Sequence, residues 1–352
     1  MYKNADITAT VPGVRVVSSA RLHMGFFDLH GGLGRKFGSI GLSLASPSIN
    51  LSAKPLQKLM VTAEDSVPQM IIERASAIAE QFMRKAKIDG GLHLHIQQHI
   101  AEHAGLGSGT QMALAIGTAI SKLYGLGLNT AQISALTGRG GRSGIGIAAF
   151  DVGGLLIDGG RAYDGYACGA PETNVPPLLA RYDFPENWRI LLITDTSCPG
   201  MHGKQEVEVF KTLPVFPENL AAHLCRHVLM QAMPALVEHD LNAFGKSIQV
   251  LQSHVGDYFA PAQGGRYASK RVAAVLKYIE QAGIACFGQS SWGPTGFAVF
   301  ENLQAAENCM QQLKLTFSES ALNSQKPDLQ KLALQKIDFQ ICSARNDGAS
   351  IT

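Results

Sequence analysis

The stretch Gly105-Leu106-Gly107-Ser108-Gly109-Thr110 decides how the chain is to be read. Ahead of it, Leu92, Leu94 and Ile96 alternate with His93, His95 and Gln97, the period-two pattern of a half-buried strand. Behind it, Met112 to Leu123 is an apolar, alanine-rich run long enough for a helix. The glycines therefore lie between a strand and a helix start. Glycine lets the backbone turn sharply and lets a ligand approach the main chain. A helix start offers unpaired N–H groups and a partial positive charge. Together these predict a cradle for a phosphate-rich small molecule. It is neither common version of such a cradle. Thr110 stands where G-x-G-x-x-G has its third glycine, and no Gly-Lys-Ser/Thr follows.

The 352 residues allow two domains with a sizeable core in each. Hydrophobic residues are 46% and charged residues 16%, which suits a compact enzyme and argues against disorder. A formal net charge of +2 gives no general field, so duplex nucleic acid is not an expected partner. Cys168, Cys198, Cys225, Cys286, Cys309 and Cys342 are scattered without a C-x-x-C, as expected of free thiols in a reducing compartment. Met1 to Thr10 has no apolar core, and no apolar run is long enough to span a bilayer. The expected location is the cytoplasm, with no membrane partner.

The first third is β-rich, with strands expected at Val14–Ser18, Ser39–Leu44, Ile49–Ala53 and Lys58–Ala63. Between the first two, Gly31-Gly32-Leu33-Gly34-Arg35-Lys36-Phe37-Gly38 is a long basic loop, a candidate to close over an anion. Pro68 to Lys87 is an amphipathic helix with Met70, Ile71, Ala75, Ile78, Ala79 and Phe82 on its buried face. A short helix, Thr130 to Thr137, precedes Gly138-Arg139-Gly140-Gly141-Arg142-Ser143-Gly144-Ile145-Gly146. Forked cation donors among bare backbone amides make this a second anion-site candidate. Asp151 follows, either a turn carboxylate or an acid, base or Mg²⁺ ligand.

The proline-rich stretch from Asn174 to Pro185 marks the expected boundary between domains 1–185 and 186–352. Trp188 to Thr196 is a buried strand running into the polar loop Ser197 to Lys204, which holds His202. Strand and loop partly resemble the phosphoribosyl-pyrophosphate motif of ordinary phosphoribosyltransferases. That motif has two adjacent acids, and with Asp195 alone their fold is not expected. Helices at Glu218–Glu238, Leu241–Ser253, Ser269–Ala282 and Leu303–Leu313 follow. With strands at 284–289, 297–300 and 336–341 they predict an α+β second domain.

Two histidine patterns suggest metal. His99-Ile100-Ala101-Glu102-His103 matches H-x-x-E-H. A strand before it and glycines after it predict that its histidines do not converge. His223 and His227 can share a helical face, but no third ligand is evident.

The order of the landmarks resembles the GHMP superfamily of small-molecule kinases over nearly the whole chain. These are the basic N-terminal segment, Gly105 to Gly109, the glycine-rich turn with Asp151, and Ser291-Trp292-Gly293-Pro294-Thr295-Gly296. The resemblance implies an α+β, two-domain fold: a ribosomal-protein-S5-like N-terminal domain and a ferredoxin-like C-terminal domain, with the site between them. Gly109, Thr110 and Gln111 replace the serine and alanines usual in the kinases' loop, and Val152 replaces the asparagine usual after their aspartate. Arg21 to Asp28, Gly105 to Gln111, Gly138 to Gly146 and Ser290 to Thr295 are similar to a non-kinase branch, the β-ribofuranosylaminobenzene 5′-phosphate synthases. This implies decarboxylating condensation of phosphoribosyl pyrophosphate with 4-aminobenzoate, the first step towards methanopterin. It implies Mg²⁺ and no organic cofactor. On that reading Gly105, Gly107, Ser108, Gly109 and Thr110 bind pyrophosphate. Arg21, Arg35, Lys36, Arg139 and Arg142 supply positive charge, with Ser143, Ser291 and Thr295 beside the substrates. Asp151 or Asp195 holds Mg²⁺, and Asp151, His23, His202 and Lys204 are the candidates for acceptor positioning and proton traffic. An ATP-dependent GHMP kinase and a non-catalytic ligand sensor of the same fold are the alternatives. A homodimer is the expected assembly.

Overall fold

A computed structural model describes residues 13–139, 143–162, 175–198, 200–201, 204–317 and 336–352. The strands are β1 (Val14–Asp28), β2 (Arg35–Lys36), β3 (Gly38–Leu56), β4 (Met60–Ala63), β5 (Gly91–Gln98), β6 (Leu155–Asp158), β7 (Arg161–Ala162), β8 (Leu178–Tyr182), β9 (Arg189–Asp195), β10 (Phe287–Gln289), β11 (Thr295–Phe300), β12 (Ile337–Cys342) and β13 (Ser350–Ile351). The helices are α1 (Gln69–Lys85), α2 (Ser108–Leu123), α3 (Thr130–Thr137), α4 (Ile145–Asp151), α5 (Lys204–Thr212), α6 (Glu218–His227), α7 (Met233–Val237), α8 (Leu241–Gln263), α9 (Lys270–Gln281) and α10 (Leu303–Thr316). A π-helical turn, Val228–Ala232, joins α6 to α7.

A seven-stranded sheet follows the path β13-β1-β3-β5-β4, with β6 on β3 and β8 on β6. Its pairs are antiparallel except β4 and β5, which α1 connects as a βαβ unit. A four-stranded antiparallel sheet has the order β10-β11-β9-β12. The chain is thus α+β, with an S5-like sheet and a ferredoxin-like sheet.

Burial explains the element choices. In α2 every residue from Gln111 to Ser121 is buried, so this helix is apolar all round and central. In β9, Leu191 and Ile193 face α9 and α10, whereas Ile190 and Leu192 join the main core with Phe244, Ile248 and Leu251 of α8. The strand is buried on both faces, hence its continuous apolar run. In α1, Ile71, Ala75, Ala79 and Phe82 form the buried stripe. Met70 lies off it, 58% exposed, because a step of one residue turns a helix by about 100°.

Several sequence boundaries move. Ser39–Leu44 and Ile49–Ala53 are parts of the single strand β3. The expected strand Val14–Ser18 continues to Asp28, held to β3 through register shifts between Ser19 and Arg21, between His23 and Gly25 and between Phe26 and Asp28. Bulges of this kind re-aim side chains. The stretch after Asn174 contains β8, and the glycine-rich turn before Asp151 contains α4. Among the described residues no disulfide forms, and no helix is long and apolar enough to cross a membrane.

Candidate functional site

The strand-to-helix turn enters α2 through two left-handed glycines, Gly105 at φ 76° and Gly107 at φ 82°. No side chain caps the helix. The turn is packed too closely for larger residues. A Cβ on Gly105 would lie 2.5 Å from the Ser290 carbonyl oxygen and 2.9 Å from that of Gly293. The late Ser-Trp-Gly-Pro turn therefore folds back on the early glycine turn. Ser290 Oγ seals the contact by donating to the Gly105 carbonyl at 2.8 Å. It also accepts from the His23 backbone N–H at 3.0 Å.

Three arginines converge on the uncapped start of α2. Arg21, on β1, donates from Nη1 to the Gly105 carbonyl at 2.6 Å. Its guanidinium would touch any Cβ on Gly107, with Cζ at 3.3 Å. Arg74 of α1 and Arg139 after α3 stand at Gly109, where a Cβ would meet Arg74 Nη2 at 2.6 Å and Arg139 Nη1 at 3.6 Å. Glu102 pairs with Arg74 and fixes it. Burial lowers the Arg139 pKa, and neighbouring Arg74 lowers it further against the pull of Glu102. Burial likewise brings Arg21 down to about 10, opposed by Glu206. Crowded, partly desolvated cations beside unpaired helix amides are an anion site, because a polyanion relieves their mutual repulsion.

A second feature abuts this cradle. His23, on β1 two residues from Arg21, is 4% exposed and its Nε2 has no hydrogen-bond partner. Burial pushes its pKa down to about 3, with Arg21 adding to the effect, so the ring is neutral. It packs on Phe26 with ring centroids 4.5 Å apart. Phe26, Phe259 and Trp292 continue the wall of a small, partly open pocket with a cavity volume of about 30 Å³. Phe259 and Trp292 lie 4.3 Å apart. Trp292 is anchored by donating Nε1–H to Glu206 Oε1 at 3.0 Å. Gln252 of α8 accepts from the Gln289 backbone N–H at 2.9 Å and donates to the Met24 carbonyl, tying both sheets to the pocket.

The structure thus brings together Gly105, Gly107, Ser108, Gly109, Thr110, Arg21, Arg139, His23 and Ser291. Other candidates are engaged elsewhere. Arg35 donates to the carbonyls of Gly159 and Gly160 at 2.7 and 2.6 Å, because β2 pairs with β7 and pins the basic loop there. Lys36 sits over the Phe37 ring, 5.6 Å from its centroid. Ser143 shares a network with Ser39 and the buried carboxylate of Asp158. Thr295 pairs with Thr194 inside the sheet at 3.0 Å.

The two aspartates are similarly occupied. Asp151 ends α4 with its side chain bonded to Thr130. The other end of α4 approaches the cradle, where a Cβ on Gly146 would meet Thr110 Cγ2 at 3.1 Å. Gly144, Ile145 and Gly146 place no carboxylate there. Asp195 accepts from Ser197 and Ser269, and from Arg271 at 3.4 Å. Burial raises its pKa, but these donors outweigh it and hold the carboxylate low. Arg142, His202 and the Lys204 side chain lie outside the described residues.

Arg74, Glu102 and Glu206 were not among the sequence candidates. Arg74 carried a signal: it is a cation three residues after Ile71 and four before Ile78, inside an apolar face. His99 to His103 is not helical; the segment leaves β5 through a turn. His254 adds a third ring beside His223, 5.8 Å between centroids, but no described group of His, Cys, Asp or Glu has a geometry that could hold a metal ion.

Comparison with known proteins agrees with this geometry. Residues 71–154 match the GHMP kinases N terminal domain, and residues 232–319 match the GHMP kinases C terminal family. The chain is 36% identical over 295 residues to the β-ribofuranosylphenol 5′-phosphate synthase of Archaeoglobus fulgidus, covering 82% of this chain and 88% of that one. It is 36% identical over 259 residues to the protein of that name from Methanocaldococcus jannaschii, covering 67% and 76%. In fold it is similar to a galactokinase from Lactococcus lactis, with a TM-score of 0.64 at 13% identity, covering 98% of this chain and 96% of that one.

Proposed function

The chain belongs to the β-ribofuranosylphenol 5′-phosphate synthase family of the GHMP superfamily, and on that premise we propose that it is a decarboxylating phosphoribosyltransferase. Its donor is phosphoribosyl pyrophosphate and its acceptor a benzoate with an electron-donating group in the para position. The convergence of Arg21, Arg74 and Arg139 on the uncapped start of α2 carries this reading. The cradle is built for several negative charges on one ligand, as the pyrophosphate group requires.

The reaction balances without a redox partner. The C1–O bond of the ribose breaks and its electron pair leaves with pyrophosphate. The ring carbon bearing the carboxylate forms the new C–C bond to the electron-poor C1. The bond to the carboxylate then breaks, its pair restores the aromatic ring, and CO₂ departs. The arginines bind the negative charge that grows on the leaving group, which is where fixed positive charge lowers a barrier most.

The acceptor expected from the sequence is 4-aminobenzoate. The relatives' name specifies a phenol on the product, which would follow from 4-hydroxybenzoate by the same steps. Both acceptors share the frame that the chemistry needs.

Mg²⁺ is proposed only as the counter-ion that the donor's pyrophosphate carries. Asp151 and Asp195 are bonded to protein donors, and no described group of His, Cys, Asp or Glu forms a protein cage for it. Magnesium is commonly held largely by substrate phosphates and water.

The test is direct. The purified protein is incubated with Mg²⁺, phosphoribosyl pyrophosphate and carboxyl-labelled 4-aminobenzoate or 4-hydroxybenzoate, and released CO₂ is counted. Labelled CO₂ stoichiometric with pyrophosphate is expected. No label released from either acid would overturn this reading, and consumption of ATP with a small alcohol would replace it with the kinase.

A further inference from the structure

The pocket beside the cradle is lined by His23, Phe26, Phe259, Ser291 and Trp292, and its chemistry is specific. We infer that it is the subsite for the aromatic acid, with the ring held among Phe26, Phe259 and Trp292 and the para heteroatom hydrogen-bonded by the His23 ring. The inference rests on the reaction proposed above.

Placement comes first. Arg21 and His23 lie two residues apart on β1, one at the cradle and the other in the pocket wall. Ser290 bonds the cradle through Gly105, and the next residue, Ser291, lines the pocket. A molecule in the pocket is therefore next to the pyrophosphate site, as the attacking carbon of an acceptor must be.

Shape and polarity agree. Three aromatic side chains suit a flat ring, which gains from edge and offset contacts. The one cation in the wall, Arg266, is held in a two-point pair by Asp257, at 2.8 Å for each bond. The pocket thus has no strong anchor for a carboxylate at depth. The acid group is left at the cradle end, where the new bond forms, and the para substituent points inwards.

The His23 Nε2 atom supplies the second observation. It is buried without a partner, and burying an unsatisfied polar atom is unfavourable. An amino or hydroxyl group in the pocket would satisfy it. Accepting that hydrogen would also raise the electron density the substituent gives the ring, and so favour attack from the carboxylated carbon.

Calorimetric titration of the full chain with 4-aminobenzoate, 4-hydroxybenzoate and plain benzoate, at saturating pyrophosphate, tests this. Val255→Phe fills the pocket and Phe259→Leu removes part of its wall. Both are expected to weaken the acids at least tenfold, while pyrophosphate affinity stays within about threefold and reports an intact fold. His23→Gln is expected to weaken the two para-substituted acids and leave benzoate unchanged. Wild-type affinity for the acids in the filled or opened pocket would overturn the assignment. Equal losses for all three acids in His23→Gln would overturn the role of His23. If the wild type releases labelled CO₂ while these variants bind the acids normally, the pocket fails and the reaction stands. If the wild type binds neither acid and releases no CO₂, both fall.

Discussion

Two glycine-rich regions are both anion-site candidates in the sequence and differ in the structure. Gly31 to Gly38 carries Arg35 and Lys36, and Gly105 to Thr110 is served by Arg21, Arg74 and Arg139. In the first, β2 pairs with β7, so arginine meets two backbone carbonyls and its charge is already answered. In the second, the arginines stand at the start of a helix that no side chain caps. Burial lowers the Arg139 pKa there, and the neighbouring Arg74 adds to the effect. Arg35 is held by backbone carbonyls alone, whereas in the cradle Arg21 also meets a carbonyl but stands with Arg74 and Arg139 beside a helix start that no side chain caps.

The largest effect that separates the regions is expected at Arg139. Arg139→Ala removes a partly buried cation from the cradle. A hydrogen bond to a charged group contributes about 1.5–3 kcal/mol, so kcat/KM for phosphoribosyl pyrophosphate should fall roughly 10- to 100-fold. Steady-state kinetics that stay near wild type would remove Arg139 from the site.

Gly107→Ala comes next. At φ 82° a Cβ is strained, and it would crowd the Arg21 side chain. Denaturant titration should show a loss of about 1–3 kcal/mol, with donor affinity weakened as well. Unchanged stability would mean that the turn relaxes to another path and is not a rigid cradle.

The parts of the cradle were unequally visible in the sequence, although Gly107 and Arg139 were both candidates. The glycine turn was legible because glycine has a conformational role that neighbouring residues cannot supply. The fold followed from it, since the same turn lies between a period-two strand and an apolar helix. Arg74 was hidden because α1 has the pattern of a packing helix, and its partner Glu102 lies 28 residues away in a turn. Asp158 and the clamp on Arg35 were hidden for a related reason. Both depend on β6 and β7 returning beside β3 and β2, and strand pairing over such a distance leaves no local trace. In the second half α5 was missed because Glu206-Val207-Glu208-Val209 alternates like a strand.

A smaller effect concerns the pocket side of the cradle and is read through pH. His23 has a folded pKa of about 3, below its unfolded value of about 6.5. Between those limits the unfolded chain binds the extra proton, so stability falls as pH falls from 6.5 towards 3. The slope from this one group is at most about 1.4 kcal/mol per pH unit. The stability of His23→Gln should depend less steeply on pH than the wild type's over that range. Parallel stability curves for the two proteins would mean that the ring is accessible to protons in the folded state.

The smallest effect is expected in the clamp. Arg35→Ala loses two bonds to carbonyls at an exposed position and should cost about 0.5–1.5 kcal/mol of stability, measured by chemical denaturation. Its kcat/KM should remain within about threefold of wild type. A larger kinetic loss would return the basic loop to the site.

Calorimetric titration with pyrophosphate puts the two regions against each other. The proteins compared are the wild type, the pair Arg74→Ala with Arg139→Ala, and the pair Arg35→Ala with Lys36→Ala. The first pair should lose affinity by about 100-fold or more, from two charged contacts at roughly 1.5–3 kcal/mol each, and the second should match the wild type. The reverse pattern, with binding lost from the basic loop and kept at the start of α2, would contradict the account at its centre.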